Sequence, residues 1–237
     1  MNRVQEVCDT VGRLFGTGVG IGVEDPRSPS GPLWPDEQTA VARAVPKRAR
    51  EFTAGRVAAR QALRALQRPE TAILRANDRA PVWPDGIIGT LSHSDTLCVA
   101  VLARTEHALS LGLDLEEDTP LPPELWPEIL SPAEILDLRA LPEPQRGRRA
   151  KFLFSAKECA YKAQYSLTRA LFGFQTLRIW PKIEAGRFQA EFLTSVLSIP
   201  KGTLLDGRFA YEHGHVMTAV TLTQAQLQQP CSDPKGI

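Results

Sequence analysis

The sequence predicts an α/β (α+β) fold made of two similar halves. Helical and strand periodicities interleave along its 237 residues. A shift of 102 residues lays FTAGRVAARQA, Phe52 to Ala62, over FSAKECAYKAQ, Phe154 to Gln164. Likewise TLCVAVL at 96–102 resembles HVMTAVT at 215–221. Two copies of a helix-plus-strands unit related by a pseudo-twofold explain both echoes and divide the chain into residues 1–108 and 109–237. Chance resemblance between amphipathic helices is the competing explanation. Hydrophobic residues make up 43 % of the chain, enough for a substantial core.

The elements follow in order. Residues 25–35 (DPRSPSGPLWP) are too rich in Pro and Gly for a regular element. From Pro46 to Gln67 the pattern is helical, with Phe52, Ala59, Leu63 and Leu66 apolar and Arg56, Arg60, Arg64 and Arg68 recurring every four residues on one face. Residues 76–86 form a second loop. IIGTLSHSDTLCVAVLA then reads as a strand, a turn at His93–Asp95, and a strand from Leu97 to Ala103. LSLGLDLE is a further strand. Pro120, Pro122, Pro123 and Pro127 break the chain before a short helical stretch around 132–139. A long helix is expected from about Arg148 to Tyr165, a strand-rich region over 173–221, and a frayed tail from Gln224 onward.

Composition excludes several classes. Apolar runs stop well short of the ~20 residues of a membrane span, and the opening MNRVQEVCDTVGRL lacks the apolar core of a signal peptide. Cys8, Cys98, Cys159 and Cys231 form no CxxC, and His93, His107, His213 and His215 form no HExxH, which argues against zinc. Scattered, reduced thiols fit a soluble cytoplasmic protein. GVGIGV at 18–23 lacks the spacing of a dinucleotide loop, and no G-x-S-x-G elbow is present. The formal charge of +1 hides segregation. Residues 43–68 hold eight Arg or Lys against Glu51 alone, whereas 110–138 hold eight acids and no base. Such separation serves solubility, or it marks an anion site beside a cation site.

Asp114 and Glu116 alternate with Leu113 and Leu115, so in a strand they share a face and repel unless a cation lies between them. Oxygen donors without thiolate or imidazole favour Mg²⁺ or Mn²⁺. In FLFSAKECAYKA and the residue before it, Lys151, Ser155, Glu158 and Lys162 fall on one helical face by spacings of 4, 3 and 4. Glu158 is then the natural third carboxylate. The plainer readings are a solvated strand face and an i,i+4 Glu158–Lys162 pair worth only ~0.2–0.5 kcal/mol. GTLSHSD offers Thr90, Ser92, His93 and Ser94. With Arg48, Arg56, Arg60 and Arg75 it suits a phosphate ester, against the alternative of a satisfied turn histidine.

KRAREFTAGRVAARQAL (47–63), APVWPDGIIGTLSH (80–93), LGLDLE (111–116), FSAKECAYKA (154–163) and LTRALFGF (167–174) occur in one chain in this order. In these pieces the sequence resembles the 4′-phosphopantetheinyl transferases, in particular the bacterial siderophore-synthase type. The resemblance implies two similar α/β subdomains with coenzyme A in the cleft between them. It implies Mg²⁺ on the pyrophosphate, held by Asp114, Glu116 and Glu158. Arg48, Arg56, Arg75, Ser92 and His93 match positions that hold the nucleotide and its 3′-phosphate, and Lys157 and Lys162 match the lysines at the reacting phosphates. Leu115 stands where some relatives carry another acid, Thr90 replaces a frequent Ser, and Arg75 a frequent Lys. The implied reaction is attack by a serine of an apo-acyl or peptidyl carrier protein on the β-phosphate, expelling 3′,5′-ADP. Glu158 would be the general base, directly or through a metal-bound water, with Lys162 and Lys157 at the leaving phosphate. A monomer suffices for such a cleft. The basic 43–68 face and the Arg146–Arg149 cluster are candidates for steering an acidic carrier. Nucleic acid is not an expected partner. A metal-dependent nuclease would want a carboxylate-x-Lys strand, and a DNA-binding module would leave the three acids without a role.

Overall fold

A computed structural model describes residues 3–224, and the chain divides into two compact units, residues 1–111 and 112–237. All but the first residue of the tail expected to fray from Gln224 lies outside the described residues.

The first unit opens with helix α1 (Arg3–Phe15), where no element was expected. Val7, Val11, Leu14 and Phe15 recur at helical spacing and are buried, so the helix is amphipathic. Then come β1 (Val19–Glu24), the short α2 (Pro35–Gln38), α3 (Pro46–Ala65), the ribbon of β2 (Leu74–Arg75) and β3 (Pro81–Val82), and the hairpin β4 (Ile87–His93) with β5 (Cys98–Arg104). β5 is central in an antiparallel sheet of order β1-β5-β4, in which Val101 lies between Ile21 and Thr90. The GVGIGV stretch is the edge strand β1. A Cβ on Gly20 or Gly22 would fall under 3.0 Å from the backbone oxygens of Ala62 and Ala58, so the glycines let α3 sit directly on the strand. Ala54, Ala58, Ala59, Ala62 and Leu63 of α3 meet Cys98, Ala100 and Leu102 of β5 in the core.

The second unit takes up β6 (Ser110–Glu117), which begins at the end of the first. It continues through α4 (Trp126–Ile129), α5 (Pro132–Arg139), α6 (Glu143–Thr168), β7 (Leu177–Lys182), β8 (Arg187–Phe192), β9 (Leu204–Glu212) and β10 (His215–Leu222). The sheet order is β6-β10-β9-β8-β7. Helix α6 starts five residues before the expected Arg148, because Pro144 is tolerated in a first turn. It ends where Arg169 turns left-handed at φ 57°. Phe152 of α6 packs edge-on against Phe188, with ring centroids 5.9 Å apart.

The sequence echo has a topological counterpart. In one unit the order runs β1, α3, β4, β5, with β5 between β1 and β4. In the other it runs β6, α6, β9, β10, with β10 between β6 and β9. The repeated segments fall on α3 and α6 and on β5 and β10. Gly112 of β6 repeats the glycine device, since its Cβ would fall under 3.0 Å from the Cys159 carbonyl oxygen of α6. No helix among the described residues is long and apolar enough to cross a membrane.

Candidate active site

In the second unit the first six residues of β6 are buried, so Asp114 is carried into the interior while Glu116 lies at the margin. Leu111, Leu113 and Leu115 alternate with them and are fully buried. Both acids face α6. Lys162 Nζ donates to Asp114 Oδ1 at 2.6 Å, and Lys151 Nζ donates to Glu116 Oε2 at 3.1 Å. The two acids are about 7 Å apart along the strand, and the two lysines about 16 Å apart along the helix. The long lysine side chains therefore reach inward from both ends, and Glu158 projects from the turn between them. Ser155 is not a site residue. Its hydroxyl is buried 2.9 Å from Thr218 Oγ1, tying α6 to β10.

The electrostatics follow from burial and like charge. Burial pushes the Glu158 carboxyl above the usual range, Lys162 pulls it back, and Asp114 and Glu116 push it up again. Glu116 is also raised, first by burial and then by Asp114, against the pull of Lys151. For Lys162, burial works against the charge, but Asp114 outweighs it and the ammonium is held more firmly than usual. The three carboxylates thus lie within electrostatic reach of one another. Their hard oxygens suit Mg²⁺ or Mn²⁺ in kind. Their present placement does not gather them, for among the described residues no group of three or more His, Cys, Asp or Glu is arranged to hold a metal. Ammonium groups neutralise Asp114 and Glu116 instead.

Lys157, expected at the reacting phosphates, is placed elsewhere. It is fully buried, and its three donors are taken by Glu134 Oε2 at 2.7 Å, Ile129 O at 2.9 Å and Phe174 O at 3.2 Å. An ammonium has three N–H groups, so none is left for a phosphate. Burial lowers its proton affinity despite Glu134. The reason is rotation about the helix: Lys157 follows Ala156 on the buried side, whereas Lys162 lies on the side of Asp114. A cavity of about 180 Å³ adjoins this region, lined by Lys157 itself together with Glu158, Tyr161, Phe172, Gly173, Phe174 and Leu177.

In the first unit, Arg48 and Arg75 are each close enough to repel Arg56. Burial, with Arg48 and Arg75 adding to it, lowers Arg56 to about 10, against the pull of Glu37. Arg48 and Arg75 are exposed. Arg56 is buried, donates to Ile73 O at 2.8 Å, and lies 3.9 Å over the Phe52 ring. Arg48 Nη1 is 3.3 Å from His93 Nε2 and 3.2 Å from Glu51 Oε2. Ser92 is buried on β4 beside the partly exposed His93. Arg60, which the sequence grouped with the phosphate-binding arginines, is buried and bonds both oxygens of Glu37 at 2.8 Å. Half of the expected basic stripe therefore faces inward.

The arginines of the first unit suit a phosphate, and within the second unit the oxygens of buried Asp114 and half-buried Glu116 and Glu158 suit a cation. Residues 30–103 match the 4′-phosphopantetheinyl transferase N-terminal domain, and residues 110–212 match the 4′-phosphopantetheinyl transferase superfamily. The chain is 38 % identical over 195 residues to 4′-phosphopantetheinyl transferase PptT of Mycobacterium tuberculosis, covering 79 % of this chain and 85 % of that protein. It is 38 % identical over 205 residues to 4′-phosphopantetheinyl transferase Svp of Streptomyces mobaraensis, covering 83 % and 81 %. To enterobactin synthase component D of Salmonella typhimurium it is 36 % identical over 151 residues, covering 62 % and 61 %. The chain belongs to the 4′-phosphopantetheinyl transferase superfamily. Its activity is phosphopantetheinyl transfer, with coenzyme A as donor and an apo-carrier protein as acceptor.

Proposed function

We propose that the chain moves the 4′-phosphopantetheine arm of coenzyme A, in a Mg²⁺-dependent reaction, onto a serine of an apo-acyl or peptidyl carrier protein and releases 3′,5′-ADP. The observation that carries this reading is the row of Asp114, Glu116 and Glu158. Asp114 raises the proton affinity of Glu116, Asp114 and Glu116 raise that of Glu158, and Lys151 and Lys162 lie beside them. Buried like charges of this kind ask for a cation. Asp114, Glu116 and Glu158 would hold Mg²⁺ or Mn²⁺, in exchange for the lysine contacts they make in its absence. When bound, the ion offsets the charge of the pyrophosphate and fixes its orientation.

Glu158 takes the proton from the serine Oγ, directly or through a water, as the new O–P bond forms to the β-phosphate. The bond from that phosphorus to the bridging oxygen of 3′,5′-ADP breaks. Lys162, whose side chain is 28 % exposed, stabilises the charge on the departing phosphate. Arg48, Arg75, Ser92 and His93 bind the nucleotide and its 3′-phosphate, with Arg56 behind them. The matches to enterobactin synthase component D favour a carrier of a siderophore synthase, with carriers of other nonribosomal peptide or polyketide synthases as the alternatives. One chain carries all of these groups, so a monomer suffices. The donor and the scattered thiols fit the cytoplasm.

The test is incubation with coenzyme A, Mg²⁺ and a panel of apo-carriers, read by the mass gain of the phosphopantetheine arm. Transfer to at least one carrier is expected, as is its loss in Asp114→Ala. Absence of any mass gain overturns the reaction, and near-normal transfer by Asp114→Ala overturns the metal assignment.

A further inference from the structure

The buried pair Lys157–Glu134 has no part in the chemistry above, yet five hydrogen bonds converge on it. Glu134 is 2 % exposed. Its Oε2 accepts from Lys157 at 2.7 Å and from Ser131 N at 2.8 Å, and its Oε1 accepts from Ile179 N at 2.8 Å. Lys157 adds the carbonyls of Ile129 and Phe174. Gln175 Nε2 donates to Leu130 O at 2.8 Å, joining the same two segments a second time. Three stretches distant in sequence therefore meet at one ion pair: residues 129–134, the α6 turn at Lys157, and residues 174–179.

Two facts give this position a consequence for the site. Lys157 immediately precedes Glu158 on α6. The segment from Phe172 to Leu177 forms the far wall of the cavity that Lys157, Glu158 and Tyr161 line from α6. Lys157 ties that wall to α6 by a charged hydrogen bond to the Phe174 carbonyl at 3.2 Å, beside the ring contacts Phe154–Phe174 and Tyr161–Phe172. Alone, a buried pair is weak evidence of stabilisation, because desolvation offsets its attraction. A role in fixing geometry is the better account, since each end holds backbone groups of a different segment.

We propose that Lys157 and Glu134 are positioning residues for the transfer reaction. Their ion pair pins the Phe172–Leu177 wall against α6 and so sets the width of the cavity at Glu158. This rests on the reading of Glu158 given under Proposed function. Neither residue touches the reacting atoms.

The test compares full-length Lys157→Met, Glu134→Gln and the double variant with the unaltered chain, at a temperature where circular dichroism shows all of them folded. Glu134→Gln leaves the Lys157 ammonium in place and removes its charged partner, together with one of the two acceptor oxygens used by Ser131 N and Ile179 N. The proposal expects both single variants to lose roughly 10- to 100-fold in kcat. It expects the double variant to be no worse than the worse single one, because all three break one contact. It also expects faster amide hydrogen exchange at residues 174–179 in both single variants, with β9 and β10 unchanged. A Glu134→Gln enzyme with normal kcat beside an inactive Lys157→Met enzyme overturns the proposal and makes Lys157 a catalytic lysine. Unchanged exchange at 174–179 in both variants also overturns it. If the unaltered chain transfers nothing, the proposed function falls, and the exchange measurement still decides whether the pair holds the wall.

Discussion

Gly112→Ala probes the closest approach in the candidate site. The added Cβ would lie under 3.0 Å from the Cys159 carbonyl oxygen, 3.0 Å from Ala163 Cβ and 3.1 Å from Ala163 N, where ordinary contact begins at 3.4 Å. All three atoms belong to the α6 backbone or to a Cβ fixed on it, so no side chain can swing aside. The helix must lift from β6. Overpacking of this kind costs about 1–3 kcal/mol, which for a chain of this length lowers the melting temperature by roughly 2–12 °C. Catalysis should suffer more than stability. Asp114 lies two residues along the strand, and Glu158 is next to Cys159 on the helix. A lift of about 1 Å draws Asp114 away from Lys162 and Glu158 and lowers kcat on the order of 100-fold. The assay pairs a thermal melt with single-carrier transfer kinetics. Gly12→Ala is the control, because its Cβ would meet only Ile21 Cδ1 at 3.8 Å within helix α1. That change should stabilise by about 0.5–1 kcal/mol without altering kcat. If Gly112→Ala melts and turns over like the unaltered chain, α6 does not rest on β6 as described.

Two further outcomes follow. Glu158 is raised above the ordinary carboxylate value in the folded chain, so its contribution to stability is fully present below that value and is lost as pH rises through the raised one. Without divalent cations, Glu158→Gln should therefore melt higher than the unaltered chain near about pH 8, with the gain vanishing near about pH 4; an equal shift at both would contradict the assignment. Glu37→Ala leaves Arg60 buried without its carboxylate and should cost about 3–5 kcal/mol in urea denaturation, whereas Arg60→Met with Glu37→Leu should recover most of it.

The helices and the central strands were legible because their signals are local. The period of α3, the alternation of β6 and the turn after His93 need only neighbouring residues. Asp114 and Glu116 both face α6, where Lys162 reaches Asp114 and Lys151 reaches Glu116, but among the described residues the three carboxylates are not gathered. What escaped the sequence was partner choice across distance. Lys157 and Lys162 look equivalent in FSAKECAYKA, yet one pairs with Glu134 and the other with Asp114. Arg60 looks like one tooth of a basic stripe until Glu37, in a Pro-rich segment with little periodicity, claims it. Helix α1 is written locally in the helical spacing of Val7, Val11 and Leu14. The alternate glycines of GVGIGV carried a readable packing signal once a nucleotide loop was set aside.

The inward turn of Arg56 and Arg60 changes what an approaching molecule feels. Lys47 already faces Asp95, and Arg64 already faces Glu70. Of the cations in that stretch, Arg43, Arg50 and Arg68 are the ones left exposed outside these pairings and the Arg48 cluster. Long-range attraction on an acidic visitor is accordingly weaker than the residue count suggests. Its collision rate should fall only gently with ionic strength beyond the ~10 Å screening distance of about 0.1 M salt.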